Sequence, residues 1–196
     1  MTEAYDWNPM PHQVDIKCPS CGEQALFEFA EVVKISLKNN VPFFKESNLF
    51  DYSLFKDSCG HKWHGAIYYA NLHGNSTAAI RDLPEGYNAG DWNHSKYLTR
   101  NHGTDLGAFC CSHCQTRQPY ILQWPNDAFY SISYKGNILW AFNRESAVDL
   151  RDYIASDERK TVNYKWADFL LHIPTSFKKQ NARNDIVKQI NRALSC

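Results

Sequence analysis

Two short cysteine pairs constrain this chain more than anything else in it: Cys18-Pro19-Ser20-Cys21-Gly22 and Cys111-Ser112-His113-Cys114. Each pair presents two sulfurs across one tight turn, and together they supply four thiolates, the donor set of a closed tetrahedral zinc site. Seven cysteines scattered over 196 residues would give about 0.25 such pairs, and two arise by chance roughly one time in forty. A fold that uses all four sulfurs must fold residues 22–110 away between them. The competing solution is local. Cys59, together with His61 or His64, is a nearer partner for Cys18 and Cys21 and would complete a three-cysteine, one-histidine site. Cys110 and His113 repeat the two-residue spacing one step earlier, but neighbours in extended chain point to opposite sides, so only one of the two pairs faces the metal. Cys196 is left as a terminal free thiol.

Composition places the metal in a well-filled globular chain. Aromatic residues make up 14%, with six tryptophans, which is incompatible with disorder. Lys plus Arg and Asp plus Glu are equal at 21 each. That balance excludes a protein wholly devoted to wrapping nucleic acid, so any such contact is local. The first residues lack the basic head and apolar run of a signal peptide, and no stretch approaches the roughly 18 apolar residues of a membrane span. A soluble, cytoplasmic protein is expected, without membrane contact. Paired cysteines in a reducing compartment read as metal ligands rather than disulfides.

Taken in order, residues 1–12 read as an irregular arm and 13–196 as one α+β domain. Val14–Lys17 is a short strand leading into Cys18. From Ala25 to Lys38 the odd positions are apolar apart from Glu31 while even ones include Glu28, Lys34, Ser36 and Lys38; this period of two predicts a strand. Residues 39–50, around Asn39-Asn40 and Pro42, read as a loop. Tyr52–Phe55 and Ala66–Ala70 read as strands, 71–106 as irregular, and Tyr120–Trp124 as a strand leaving the second cysteine pair. Phe129–Tyr134 and Ile138–Phe142 form a hairpin about Lys135-Gly136-Asn137. Asn143 caps a helix over 144–156, with Ala147, Val148, Leu150 and Ile154 inward. Tyr164–Ile173 is expected as a strand. Residues 176–195 are expected as a C-terminal helix with Phe177, Ala182, Ile186, Ile190 and Leu194 on its buried side.

With these motifs in view, residues 18–22 resemble the Cys-Pro-x-Cys-Gly knuckle of the zinc-ribbon superfamily letter for letter. The second pair matches in spacing only, because Gln115 stands where the glycine would be. The resemblance covers about 14–34 and 106–124. It implies antiparallel ribbon strands carrying one structural zinc per chain, in proteins that bind nucleic acid or other proteins. Cys18-Pro19-Ser20-Cys21 also resembles a glutaredoxin-type redox motif, but that chemistry needs a helix N-terminus at the attacking thiolate, and a strand is expected after Gly22.

Function follows from the closed thiolate shell, which leaves no coordination position for substrate or water. A non-catalytic binding module is expected. DNA or RNA is the first choice of partner, contacted by Lys178, Lys179, Arg183, Lys188 and Arg192 of the terminal helix and by Arg117 and Gln118 on the ribbon edge. A protein-interaction or regulatory module is the alternative. A metal-dependent hydrolase or nuclease using His61, His64, Asp91 and His94, or a thiol oxidoreductase, comes third. The aromatic residues Tyr68, Tyr69, Trp92, Tyr97, Trp124 and Trp140 can stack on bases, although core packing explains most such residues.

Overall fold

The computed structural model describes residues 10–93 and 105–195, and its architecture is α+β. Strands β1 (Gln13–Lys17), β2 (Gln24–Phe29), β6 (Leu106–Cys110) and β7 (Arg117–Ile121) form an antiparallel sheet in the order β1-β2-β6-β7. Between β2 and β6 the chain builds a second antiparallel sheet, in which β5 (Lys62–Tyr68) lies between β3 (Glu31–Lys34) and β4 (Asp51–Lys56). The inserted segment is closed at its neck, where the Ala30 N–H donates to Leu106 O at 2.9 Å. Strands β8 (Ser131–Tyr134) and β9 (Asn137–Trp140) form the expected hairpin, with Lys135 and Gly136 at φ 50° and 79°. Two successive left-handed residues give the turn whose twist matches its strands.

The main core lies on one face of the four-stranded sheet. Val14, Ile16, Ala25, Phe27, Phe29 and Phe109 pack there against β8–β9 and the helices α2 (Arg144–Ala155) and α5 (Gln180–Leu194). The Asn143 side chain accepts from the Ser146 N–H at 2.9 Å, and the Ser146 hydroxyl answers with the Asn143 N–H at 3.0 Å; this satisfies orphan donors at the start of α2. Ala147, Leu150 and Ile154 are buried as expected, with Tyr153 beside them, while Val148 is only partly covered. Helix α5 buries Ala182, Ile186, Ile190 and Leu194 at a spacing of four, each large aliphatic contributing about 1.5–3 kcal/mol.

Several expectations are corrected. Residues 39–50 are not all loop: α1 (Val41–Glu46) forms there, with Pro42 in its first turn, where the missing N–H costs nothing, and Phe44 buried. Tyr164–Ile173 is not a strand: it follows a 3-10 turn (Thr161–Asn163) and contains α3 (Ala167–Leu171), which buries Phe169 and Leu170. The terminal helix is broken into α4 (Thr175–Lys178) and α5 by Lys179 at φ −68°, ψ 143°, which lets Phe177 enter the core separately. The strand expected over Ala25–Lys38 breaks at Ala30 into two strands belonging to different sheets and ends at Lys34. The strands read at 66–70 and 120–124 begin earlier, at Lys62 and Arg117. Of the expected N-terminal arm, Met10 and His12 are buried and Pro11 is half-buried, and residues 1–9 lie outside the described residues.

Candidate metal centre

Both cysteine pairs occupy hairpin turns, Cys18–Cys21 between β1 and β2 and Cys111–Cys114 between β6 and β7. Strands β2 and β6 are antiparallel neighbours with Leu26 opposite Cys110. The start of β2 therefore lies beside the end of β6, and both turns fall at the same end of the sheet. The inserted segment leaves from the opposite end. This topology brings together residues that lie 90 or more apart in the chain: Cys18 Sγ is 3.6 Å from Cys114 Sγ, and Cys21 Sγ is 3.7 Å from Cys111 Sγ. All four sulfurs lie within 4.8 Å of one another. A tetrahedron with metal–sulfur bonds of about 2.3 Å has edges of about 3.8 Å. A disulfide would need sulfurs at about 2.0 Å, and the four are free thiols. The cluster can hold a metal ion, and its donors are all soft.

The two turns share one backbone plan. The Cys18 N–H donates to Glu23 O at 2.7 Å, and the Cys111 N–H to Thr116 O at 3.0 Å, the same closure five residues on. Gly22 sits at φ 81°, its N–H bonded to Cys18 O at 2.8 Å, and the Ser20 N–H points at Cys18 Sγ at 3.4 Å. Gln115 holds the equivalent place at φ 61°. The second turn thus takes the left-handed conformation without the glycine that favours it, and the Gln115 amide bonds to Ser112 O at 2.5 Å.

The sulfurs differ in acidity. Hydrogen bonding with the Thr116 side chain and backbone pulls the Cys114 thiol down, to about 6. For Cys21 a hydrogen bond from the Glu23 backbone pulls downward, but desolvation and the three neighbouring sulfurs outweigh it and push the thiol up to about 12. A metal needs all four sulfurs as thiolates, so an incoming cation displaces their remaining protons as it binds. Cys18 and Cys111 are buried, Cys114 half-buried and Cys21 exposed.

The nearer ligands fall elsewhere. Cys59 and His61 sit with Asp57 at the tip of the β4–β5 hairpin. His64 lies within β5, and its Nδ1 is hydrogen-bonded to the Tyr52 hydroxyl at 2.6 Å. Cys110 lies outside the four-sulfur group, its thiol 3.6 Å from Asn71 O, and His113 is exposed. Asp91 receives the Asn88 N–H at 2.9 Å as part of a 3-10 turn; His94, Tyr97 and Cys196 lie outside the described residues. Tyr68, Tyr69, Trp92 and Trp140 are buried in the cores, and Trp124 packs on Phe142 and Trp140.

The basic residues near the C-terminus do not share one face. Lys178 ends α4, Lys179 lies at the break, and Arg183 is half-buried in an ion pair with Asp157 at 2.5 Å. Lys188 and Arg192 are exposed together on one flank of α5, beside Asn184 and Asn191. Arg117 and Gln118 are exposed on β7, the open edge of the sheet.

Sequence reasoning missed a buried polar group beside the centre strands. Glu28 occupies an even position of β2, where solvent was expected, yet it is only 2% exposed. Asn71, from the inserted segment, covers that face and donates to Leu26 O and Ala108 O. Nearby, His12 Nδ1 pairs with Glu31 Oε1 at 3.3 Å. Burial, with the charge of Glu28 second, pushes the Glu31 carboxyl up to about 7. Only the position of the inserted segment could have revealed this.

No described helix is long and apolar enough to cross a membrane. No family model, no curated protein and no solved structure matches the chain.

Proposed function

We propose that this chain is a non-catalytic binding module organised by one structural zinc on Cys18, Cys21, Cys111 and Cys114. The observation that carries the reading is the set of four sulfurs, all within 4.8 Å of one another and with the Cys18–Cys114 and Cys21–Cys111 separations at 3.6 and 3.7 Å. Such donors favour zinc or iron, and a shell complete in protein ligands leaves no place for substrate. Zinc bound there ties the β1–β2 hairpin to the β6–β7 hairpin and secures the ends of an insertion of more than seventy residues. The arrangement of two cysteine-bearing hairpin turns resembles a zinc ribbon interrupted between its halves.

The proposed ligand is nucleic acid, held by Lys178, Lys179, Lys188 and Arg192 along the C-terminal helices, with Arg117 and Gln118 available at the sheet edge. Exposed cations neutralise phosphates while side-chain donors reach bases. The pairing of Arg183 with Asp157 withdraws one of the five expected cations, so the contact is small and salt-sensitive. The test is fluorescence anisotropy with labelled single- and double-stranded DNA and RNA. Binding is expected at low salt, weakening with a slope of about −0.9 per phosphate contact on duplex or −0.7 on single strands. Lys178, Lys179 and Lys188 changed together to Glu should abolish it without altering metal content. No binding to any of these at low salt would end the nucleic-acid reading and leave a protein-interaction module.

A further inference from the structure

The tip of the β4–β5 hairpin carries a second set of mixed ligands that the four-sulfur centre does not use. Asp57 Oδ1 accepts the N–H groups of Cys59 at 2.9 Å and His61 at 2.8 Å. The loop is closed by Asp57 N–H to His61 O and Gly60 N–H to Asp57 O, both at 3.0 Å, with Gly60 at φ 85°. One carboxylate oxygen thus fixes the turn, and the other is turned toward the imidazole. Ligand atoms of Asp57, Cys59 and His61 lie within 4.8 Å of one another, and all three residues are exposed.

The spacing between carboxylate and imidazole suits a shared ion. Asp57 Oδ2 and His61 Nδ1 are 3.4 Å apart. A charge-assisted hydrogen bond would close to about 2.7–2.9 Å. Oxygen and nitrogen ligands at about 2.0–2.1 Å from one tetrahedral ion stand about 3.3 Å apart. We infer that Asp57, Cys59 and His61 form a second divalent-metal site at the hairpin tip, open at its fourth position and exchangeable. One sulfur, one nitrogen and one oxygen suit zinc or cobalt(II) rather than calcium or magnesium, which require oxygen shells. Cys59 gives up its proton on binding, and water fills the remaining position.

The test uses the full-length protein with its four-sulfur site loaded, titrated with zinc in competition with a chromophoric chelator. The wild type is expected to take up a further, weaker zinc ion. His61→Ala and Cys59→Ser should each weaken that ion at least about tenfold while leaving the tighter one in place. Asp57→Asn, which keeps the oxygen that organises the loop, should weaken it too. Far-UV circular dichroism checks that these exposed-loop variants remain folded. Absence of any weaker zinc in the wild type would overturn the inference, as would a weaker zinc unaffected by both His61→Ala and Cys59→Ser. The readout is which residues the ion depends on, so failure of the four-sulfur site would appear separately, as loss of the tight ion.

Discussion

Replacing Gly107 by alanine tests the strand pairing that brings the two cysteine turns together. Gly107 lies in β6 opposite Phe29 of β2, four residues before Cys111. A Cβ there would collide with the Glu28 carbonyl oxygen and Phe27 Cζ and come within 2.8 Å of Phe27 Cε2, against about 3.5–4.0 Å for an unstrained carbon contact. The Phe27 ring has no room to swing: it is fully buried and edge-packed against Phe29 and Tyr120. The carbonyl belongs to the sheet itself. Relief therefore requires β6 to move off β2, and the cost lies at the upper end of overpacking penalties, about 3 kcal/mol. For a chain of this size that lowers the melting temperature by about 6–12 °C. Gly65→Ala is the control. Its Cβ would come within 2.5 Å of Phe55 Cε2 and 3.1 Å of Trp63 Cζ3, but it meets side-chain rings alone and no backbone atom, so about 1–2 kcal/mol is expected. Urea unfolding followed by circular dichroism gives both values, and zinc release to a chelator reports the turns. Gly107→Ala should release zinc faster than wild type, and Gly65→Ala should not. Equal small losses, below about 1 kcal/mol for Gly107→Ala, would refute the argument that β2–β6 contact positions the centre.

Gly22→Ala should cost about 1–2 kcal/mol from its left-handed backbone alone, since no atom lies within 4 Å of the added Cβ, whereas Gln115→Gly should be neutral or stabilise by up to about 1 kcal/mol; thermal melts of the two variants compare them. Asn143→Ala removes the cap of α2 and should cost about 1 kcal/mol in urea unfolding. Glu31, raised in the fold from 4.5 to about 7, contributes stability that is fully present below about pH 4.5 and lost as the pH rises through 7. The urea midpoint of wild type should therefore fall between pH 5 and pH 8, and that of Glu31→Gln should fall less; an identical decline in both would refute the assignment.

What could be read from the chain was whatever local pattern decides. The strand after Gly22, the Lys135-Gly136 hairpin, the Asn143 cap and the buried side of α5 each carry their own signal in spacing or turn chemistry. Pro42 misled because it marks loops and first helical turns alike, and α1 is too short to show a period. The run from Tyr164 to Ile173 is apolar on nearly every side, so periodicity could not separate strand from helix. Nothing in the sequence marks the break at Lys179, whose extended backbone separates the turn carrying Phe177 from α5. The cysteine spacing proposed the four-sulfur set, but two solutions remained open until the insertion was placed. Pairing of β2 with β6 is a contact between distant segments, and no local rule reports it. The burial of Glu28 was hidden for the same reason.

The central claim is that four cysteines from two distant turns hold one structural zinc. The direct measurement is elemental analysis of the purified protein after passage over a chelating resin that strips weakly held ions, repeated for Cys111→Ser and Cys59→Ser. The account predicts one zinc per chain in the wild type and in Cys59→Ser, and in Cys111→Ser loss of the metal with a collapse of the melting transition, because zinc binding at such sites is worth about 10–16 kcal/mol, comparable to the whole stability of a domain. Full zinc and an unchanged melt in Cys111→Ser, or a metal-free wild type with a normal melt, would contradict it.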